Sequence, residues 1–268
     1  MSRPLVVEFI GMPGSGKSTL MHRARERLEA RGLPVQVVPK GKPVGWDEVR
    51  RRPDVLRKAK ATLGFAGFAF LLAWRCPRLT WWYIRRQIAS DGIDGGDHRP
   101  GLSHFLNFGQ RYRLFHDAAE HPGIHMSDRG GIVQTMAEIA RHTPGDNGTW
   151  LLKSRSGSRP HLLTVLVECD TRTIQDRIRD RPGHPRARAH AEDPSRFAAT
   201  LERVGAWQRT AVRLAGDGAV EGVSVLTVDN SSPDQLDPAV VRIVETIEER
   251  WSGPSLNPRT GSPAPNAS

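Results

Sequence analysis

A chain of 268 residues fits one large domain or two small ones and is long enough to bury a sizeable core. Lys and Arg number 39 against 29 Asp and Glu, a net charge of +10, which points to an anionic partner: nucleic acid, an anionic membrane surface or a phosphorylated substrate. The two cysteines, Cys76 and Cys169, are far apart and lack metal-ligand spacing, which excludes a disulfide framework and indicates a reducing, cytoplasmic compartment.

The opening "MSRPLVVEFIG" has too short an apolar stretch for a signal peptide, and Leu5 to Ile10 read as a short buried strand. Directly after it "FIGMPGSGKSTL" spells G-x-x-x-x-G-K-[ST] with Gly11, Gly16, Lys17 and Ser18. Glycines at 11, 14 and 16 allow successive N–H groups to point inward at phosphate oxygens, and the helix that follows adds its positive end. Pro13, Ser15 and Thr19 complete the loop. Lys17 would sit between the terminal phosphates, and the Ser18 hydroxyl would ligate Mg²⁺. A glycine-rich turn before an ordinary helix is the competing reading. The order of strand, loop and helix disfavours it, because "KSTLMHRARERLEARG" places Leu20, Ala24 and Leu28 on one helical face with Gly32 as a C-terminal cap.

A second strand is expected around Val35 to Val38, bounded by prolines, and "GKPVGWDEVRRRPDVLRKAK" then breaks the pattern. Ala61 to Trp74 carries no charge over fourteen residues, too few to span a bilayer at about 1.5 Å each. Two readings stay open for this insertion, about residues 41–120. One is a buried helix, or a helical hairpin broken at Pro77, covering the substrate side. The other is peripheral membrane contact, with Trp74, Trp81, Trp82 and Tyr83 beside Arg75, Arg78, Arg85 and Arg86 forming an aromatic and basic belt. "IASDGIDGGDHRPG" is a loop, and a helix is expected over "SHFLNFGQRYRLFHDAAE". A short strand, Ile124 to Ser127, ends in Asp128 and Arg129, and "IVQTMAEIARH" resumes as a helix. His125 within that strand reads as a packed residue.

The second half alternates more regularly. "HLLTVLVECD" is an apolar strand, "TRTIQDRIRDRPG" a helix, "HPRARAHAEDPS" a basic loop, and "RFAATLERVGAWQRTAVRLAG" a long helix with Phe197, Leu201, Val204 and Ala211 as core positions. "VSVLTVDN" is the last strand, and "SSPDQLDPAVVRIVETIEERW" the last helix, with Ser231 or Ser232 near its start. Residues 253–268 have the composition of a disordered tail. Alternating strands and helices predict an α/β three-layer sandwich around a central, mostly parallel sheet, with residues 1–252 as one domain carrying the helical insertion. Lys17, Asp128 and Asp170 lie just past strand ends, where such sheets gather their ligands. Asp170 and Asp229 would cap the helices that follow them.

On these residues the chain resembles the P-loop nucleoside and nucleotide kinases, closest in layout to the thymidylate kinase group. The likeness covers roughly residues 4–250 and is carried by the Walker A loop, by "SDRGG", similar to the Asp-Arg pair ending a central strand, and by "DTRTIQDRIRDRPG", similar to the helix entering the lid. "VDNSSP" is similar to the stretch beside the adenine pocket. The stretch "VVPKGKPVGW" lacks the signature those kinases carry after the second strand, and the insertion has no counterpart, so the acceptor half of the site differs. A base-reading "NKxD" is absent, which argues against a GTP switch.

The resemblance implies ATP and Mg²⁺ as cofactors and a small-molecule phosphoryl acceptor. Positioning and charge neutralisation dominate phosphoryl transfer. Asp128 would then serve in the outer shell of Mg²⁺ or accept the acceptor's hydroxyl proton, and Arg129 would hold an acceptor phosphate or the γ-phosphate. A surface ion pair or a helix N-cap is the plainer reading of that pair. Arg177 and Arg181, four apart on one helical face, would join Arg186 and Arg188 around the transferring group, against the plainer reading of a solvated basic face. The ten histidines show no metal spacing. Zinc-finger, RNP-type and basic-zipper patterns are absent, so no specific nucleic-acid partner is expected. A non-kinase ATPase or nucleotide-sensing module that docks a partner or membrane through the insertion is the alternative function, and a homodimer is compatible with either.

Overall fold

The computed structural model describes residues 4–37, 77–78, 80–82, 85, 121–128, 131–142, 148–149, 151, 160–180, 191–216 and 222–252. Five strands form an all-parallel sheet: β1 (Leu5–Gly11), β2 (Val35–Val37), β3 (Ile124–Ser127), β4 (His161–Glu168) and β5 (Val223–Asp229), in the order β2-β3-β1-β4-β5. β1 is central, with Leu5 aligned to Ile124 on one side and to His161 on the other. Every residue of β1 is buried, as a parallel strand covered on both faces requires.

The helices divide between the two faces. α1 (Lys17–Ala30) and α5 (Leu236–Ser252) cover the face to which Leu5, Val7 and Phe9 point, and they enclose Leu20, Leu28, Ile243 and Ile247. α2 (Ile132–His142) and α4 (Pro194–Gly216) cover the other, where Val6 and Ile10 meet Val133, Met136, Ala211 and Val212. A smaller cluster, Met12, Cys169, Ile174, Ile178 and Leu201, packs α3 (Thr171–Arg179) and α4 beneath the glycine loop. The fold is therefore α/β with helices on both sides of one parallel sheet, as the alternating pattern predicts.

Local chemistry explains the element ends. α1 closes with Leu33 N–H on Leu28 O and Gly32 N–H on Glu29 O, the paired bonds that satisfy the last carbonyls of a helix. α3 begins at Asp170, whose carboxylate accepts the Thr173 N–H at 2.7 Å; the Thr173 hydrogen bonds hold its pKa below the ordinary range. Asp229 does not act as a helix cap. It accepts the Ser231 N–H and hydroxyl at 2.9 and 2.6 Å, and Ser231 Oγ in turn accepts the Asp170 N–H, tying the ends of β4 and β5 together. On α4, Leu201 and Ala211 are buried as expected, whereas Phe197 and Val204 are half-buried and Gly205 and Gln208 take the inward positions.

His125 is buried in β3 and donates from Nε2 to the His121 carbonyl at 3.2 Å. Burial lowers its pKa, against the opposing effect of that hydrogen bond. The unfolded chain therefore takes up this proton first, so stability contributed here is present in full above about pH 6.5 and declines as the pH falls through the folded-state value. Unfolding midpoints recorded from pH 5 to 8 should accordingly vary less in His125→Gln than in the wild type, and parallel curves would refute the assignment.

Of the insertion, Pro77, Arg78, Thr80, Trp81, Trp82 and Arg85 are helical. The aromatic belt divides there: Trp82 joins the core under α2 and α4, while Trp81 is 64% exposed. Trp74, Tyr83, the helix expected after residue 102, Val38 and the tail 253–268 lie outside the described residues. Among the described residues, no helix is long and apolar enough to cross a membrane.

Candidate functional site at the carboxyl edge of the sheet

Because all five strands run the same way, Gly11, Asp128, Cys169 and Asn230 emerge on one edge. Strand order reverses about β1, which places its following loop at the topological switch point. Gly14 and Gly16 take positive φ values of 90° and 89°. A Cβ at 16 would also overlap the side-chain amide of Asn230, so glycine is required both for the turn and for the close approach. That amide donates to the Ser15 carbonyl at 2.7 Å and is buried, clamping the loop to the end of β5.

Lys17 opens α1 and folds back over the loop. Its Nζ donates to the carbonyls of Gly11 and Met12, each at 2.7 Å. Ser18, one residue on, is exposed and its hydroxyl donates to Asp128 Oδ2 at 2.6 Å, across 110 residues of sequence. Thr19 is exposed and Ser15 buried, its Oγ without a hydrogen-bond partner among the described residues. Ser18, next to Lys17 in the motif, thus meets Asp128, which lies just past a strand end as expected. Among the described residues no cluster of three or more His, Cys, Asp or Glu could hold a metal by itself.

Arg177 also reaches the loop, from α3. Its guanidinium donates to Asn230 O at 3.0 Å and, more distantly, to Gly14 O and Cys169 Sγ, both at 3.5 Å. It is half-buried and braces the loop against β5, which differs from a fully solvated basic face. Burial pushes the Cys169 thiol up, the Arg177 charge only partly opposing it, so this cysteine is a packed thiol. Arg129, Arg181, Arg186 and Arg188 lie outside the described residues.

Two polar groups behind the loop escaped the motif reading. Glu8, fully buried in β1, accepts from Val133 N at 3.1 Å and Thr164 Oγ1 at 2.8 Å. Its carboxylate thus faces the first turn of α2, whose positive end favours an anion. Gly131 packs against the other carboxylate oxygen so closely that a Cβ there would collide with it. The glutamate therefore anchors the chain just after Asp128. Gln208, 5% exposed on α4, donates from Nε2 to Gly11 O at 3.3 Å and to Gln134 Oε1 of α2 at 3.1 Å. For Glu8 the signal was a lone charge inside an apolar strand, "LVVEFIG"; for Gln208 no local signal exists.

Compared with known proteins, the chain matches no protein-family model and no curated protein.

Proposed function

We propose that this protein is an ATP-dependent phosphotransferase of the P-loop kinase type, working in the cytoplasm. It would transfer the γ-phosphoryl group of ATP to a nucleotide, a nucleoside or another hydroxylated metabolite. The observation that carries the reading is the 2.6 Å contact between Ser18 Oγ and Asp128 Oδ2, one residue after the lysine whose ammonium lies on the loop carbonyls. Hydroxyl and carboxylate oxygens are hard ligands suited to Mg²⁺, which takes few protein ligands when phosphates and water complete its shell. The loop fits a phosphate tail as well, since it is built on positive-φ glycines. When bound with ATP, Mg²⁺ supplies charge neutralisation on the β- and γ-phosphates, held through Ser18 and Asp128.

The protein's own residues do the rest. Lys17 binds terminal phosphate oxygens, and the loop amides orient the chain of phosphates. As the bond from phosphorus to the ADP oxygen breaks and the bond to the acceptor oxygen forms, the acceptor's hydroxyl proton passes to water, or to the Asp128 carboxylate in the alternative in which Ser18 alone holds Mg²⁺. Asn230 and Arg177 keep the loop in register with β5.

One observation favours a second reading, a nucleotide-sensing module. Arg177 places its guanidinium on loop and strand-end acceptors, a brace that needs no transferred group. In that case the exposed Trp81 would help to dock a partner or a membrane surface. Incubating the protein with Mg²⁺, ATP and a metabolite extract, and following products by mass spectrometry, separates the two. A metabolite gaining one phosphoryl group is the result expected here. Slow ADP release with no phosphorylated product would assign the sensor instead.

A further inference from the structure

We infer that Gln208 is a positioning residue for Lys17: its amide holds the Gly11 carbonyl so that the ammonium can turn from the loop to a terminal phosphate. The inference rests on the phosphate-binding reading above. With Lys17 folded back, its Nζ is bonded to both Gly11 O and Met12 O. An ammonium has three N–H groups in all, so gripping two phosphate oxygens requires it to give up at least one loop carbonyl. Gly11 and Met12 are buried, and a buried acceptor that loses its donor pays the full desolvation penalty.

Each carbonyl has a second donor in place. Met12 O accepts the Ser15 N–H at 3.1 Å, a bond internal to the loop. Gly11 O accepts Gln208 Nε2, brought from α4, 197 residues away. The same nitrogen's second hydrogen is directed to Gln134 Oε1 on α2, which orients the amide. Gln208 is otherwise costly where it stands. Its neighbours on the inward face of α4, Gly205, Ala211, Val212 and Ala215, carry no side-chain polar atoms, and an amide buried among them is tolerated only when bonded. Packing does not call for it, whereas the shared carbonyl does.

Two measurements test this. In nucleotide-free protein, thermal unfolding of the wild type, Lys17→Ala, Gln208→Met and the double variant should be non-additive. Only the double variant leaves Gly11 O without either side-chain donor, so its midpoint should fall below the sum of the single effects by roughly 2–4 °C. Additive shifts would overturn the sharing of the carbonyl. In the second measurement, Gln208→Met should bind Mg²⁺-ATP roughly tenfold or more weakly by calorimetry. Gln134→Met, which removes the bond that orients the amide, should weaken binding in the same direction by less, and serves if Gln208→Met does not fold. Unchanged affinity in these variants beside a tightly binding wild type would overturn this inference alone. A wild type that binds no Mg²⁺-ATP would remove the kinase and sensor readings together, and this role with them.

Discussion

Replacing Lys17 with alanine is expected to remove most of the thermal stabilisation that Mg²⁺ and ATP confer on the wild-type protein. At a ligand concentration about 100 times the dissociation constant, binding stabilises a folded protein by about 2.7 kcal/mol. The ammonium contributes charge-assisted hydrogen bonds worth roughly 1.5–3 kcal/mol each, so losing two weakens affinity roughly 100-fold or more. The same ligand concentration then stabilises by only about 0.4 kcal/mol, close to the limit of a thermal-shift measurement. Empty protein should lose little, because Gly11 O and Met12 O keep Gln208 Nε2 and Ser15 N–H as donors. A full ATP-dependent shift in Lys17→Ala would show that the glycine loop holds no phosphate.

Asp128→Asn is the second large effect. Asparagine keeps the shape of the side chain and an oxygen that can accept from Ser18 Oγ, so the unfolding transition should move by no more than about 1 kcal/mol. The negative charge is lost. If the carboxylate helps to hold Mg²⁺ or takes the acceptor's proton, turnover should fall roughly 100-fold or more, and half-maximal activity should require more Mg²⁺. Measuring initial rates across a Mg²⁺ series on both proteins decides it. Equal turnover with the same Mg²⁺ dependence would return Asp128 to a structural hydrogen bond at the end of β3.

The half of the site nearest the loop was legible because its residues are close in sequence and its geometry follows from local rules. Gly14, Gly16, Lys17 and Ser18 lie within five positions, and a strand, a positive-φ turn and a helix start place them without reference to the rest of the chain. Asp128 was legible one step further, since a residue just past a strand in an alternating pattern reaches the carboxyl edge of a parallel sheet. Arg177 was placed on the right helix, but its acceptors in the loop and at the end of β5 were not foreseen, because helical spacing fixes the face of a residue and not its partners. Only the tertiary fold, which packs α3 beneath the glycine loop and ties its first turn to Ser231 just after β5, brings Asn230 O and Gly14 O to its guanidinium.

By itself the sequence determined the alternation of elements, the parallel sheet it implies, the glycine loop and the end of β3 that faces it. These follow from periodicity and turn chemistry, which act over a few residues. The tertiary structure alone decided which distant polar groups stand behind the loop: Glu8 against the first turn of α2, Asn230 on Ser15 O, and Gln208 between Gly11 O and Gln134. Buried polar groups must find partners, but nothing in a local stretch of chain says which, because the partner arrives from a helix or strand folded in from elsewhere.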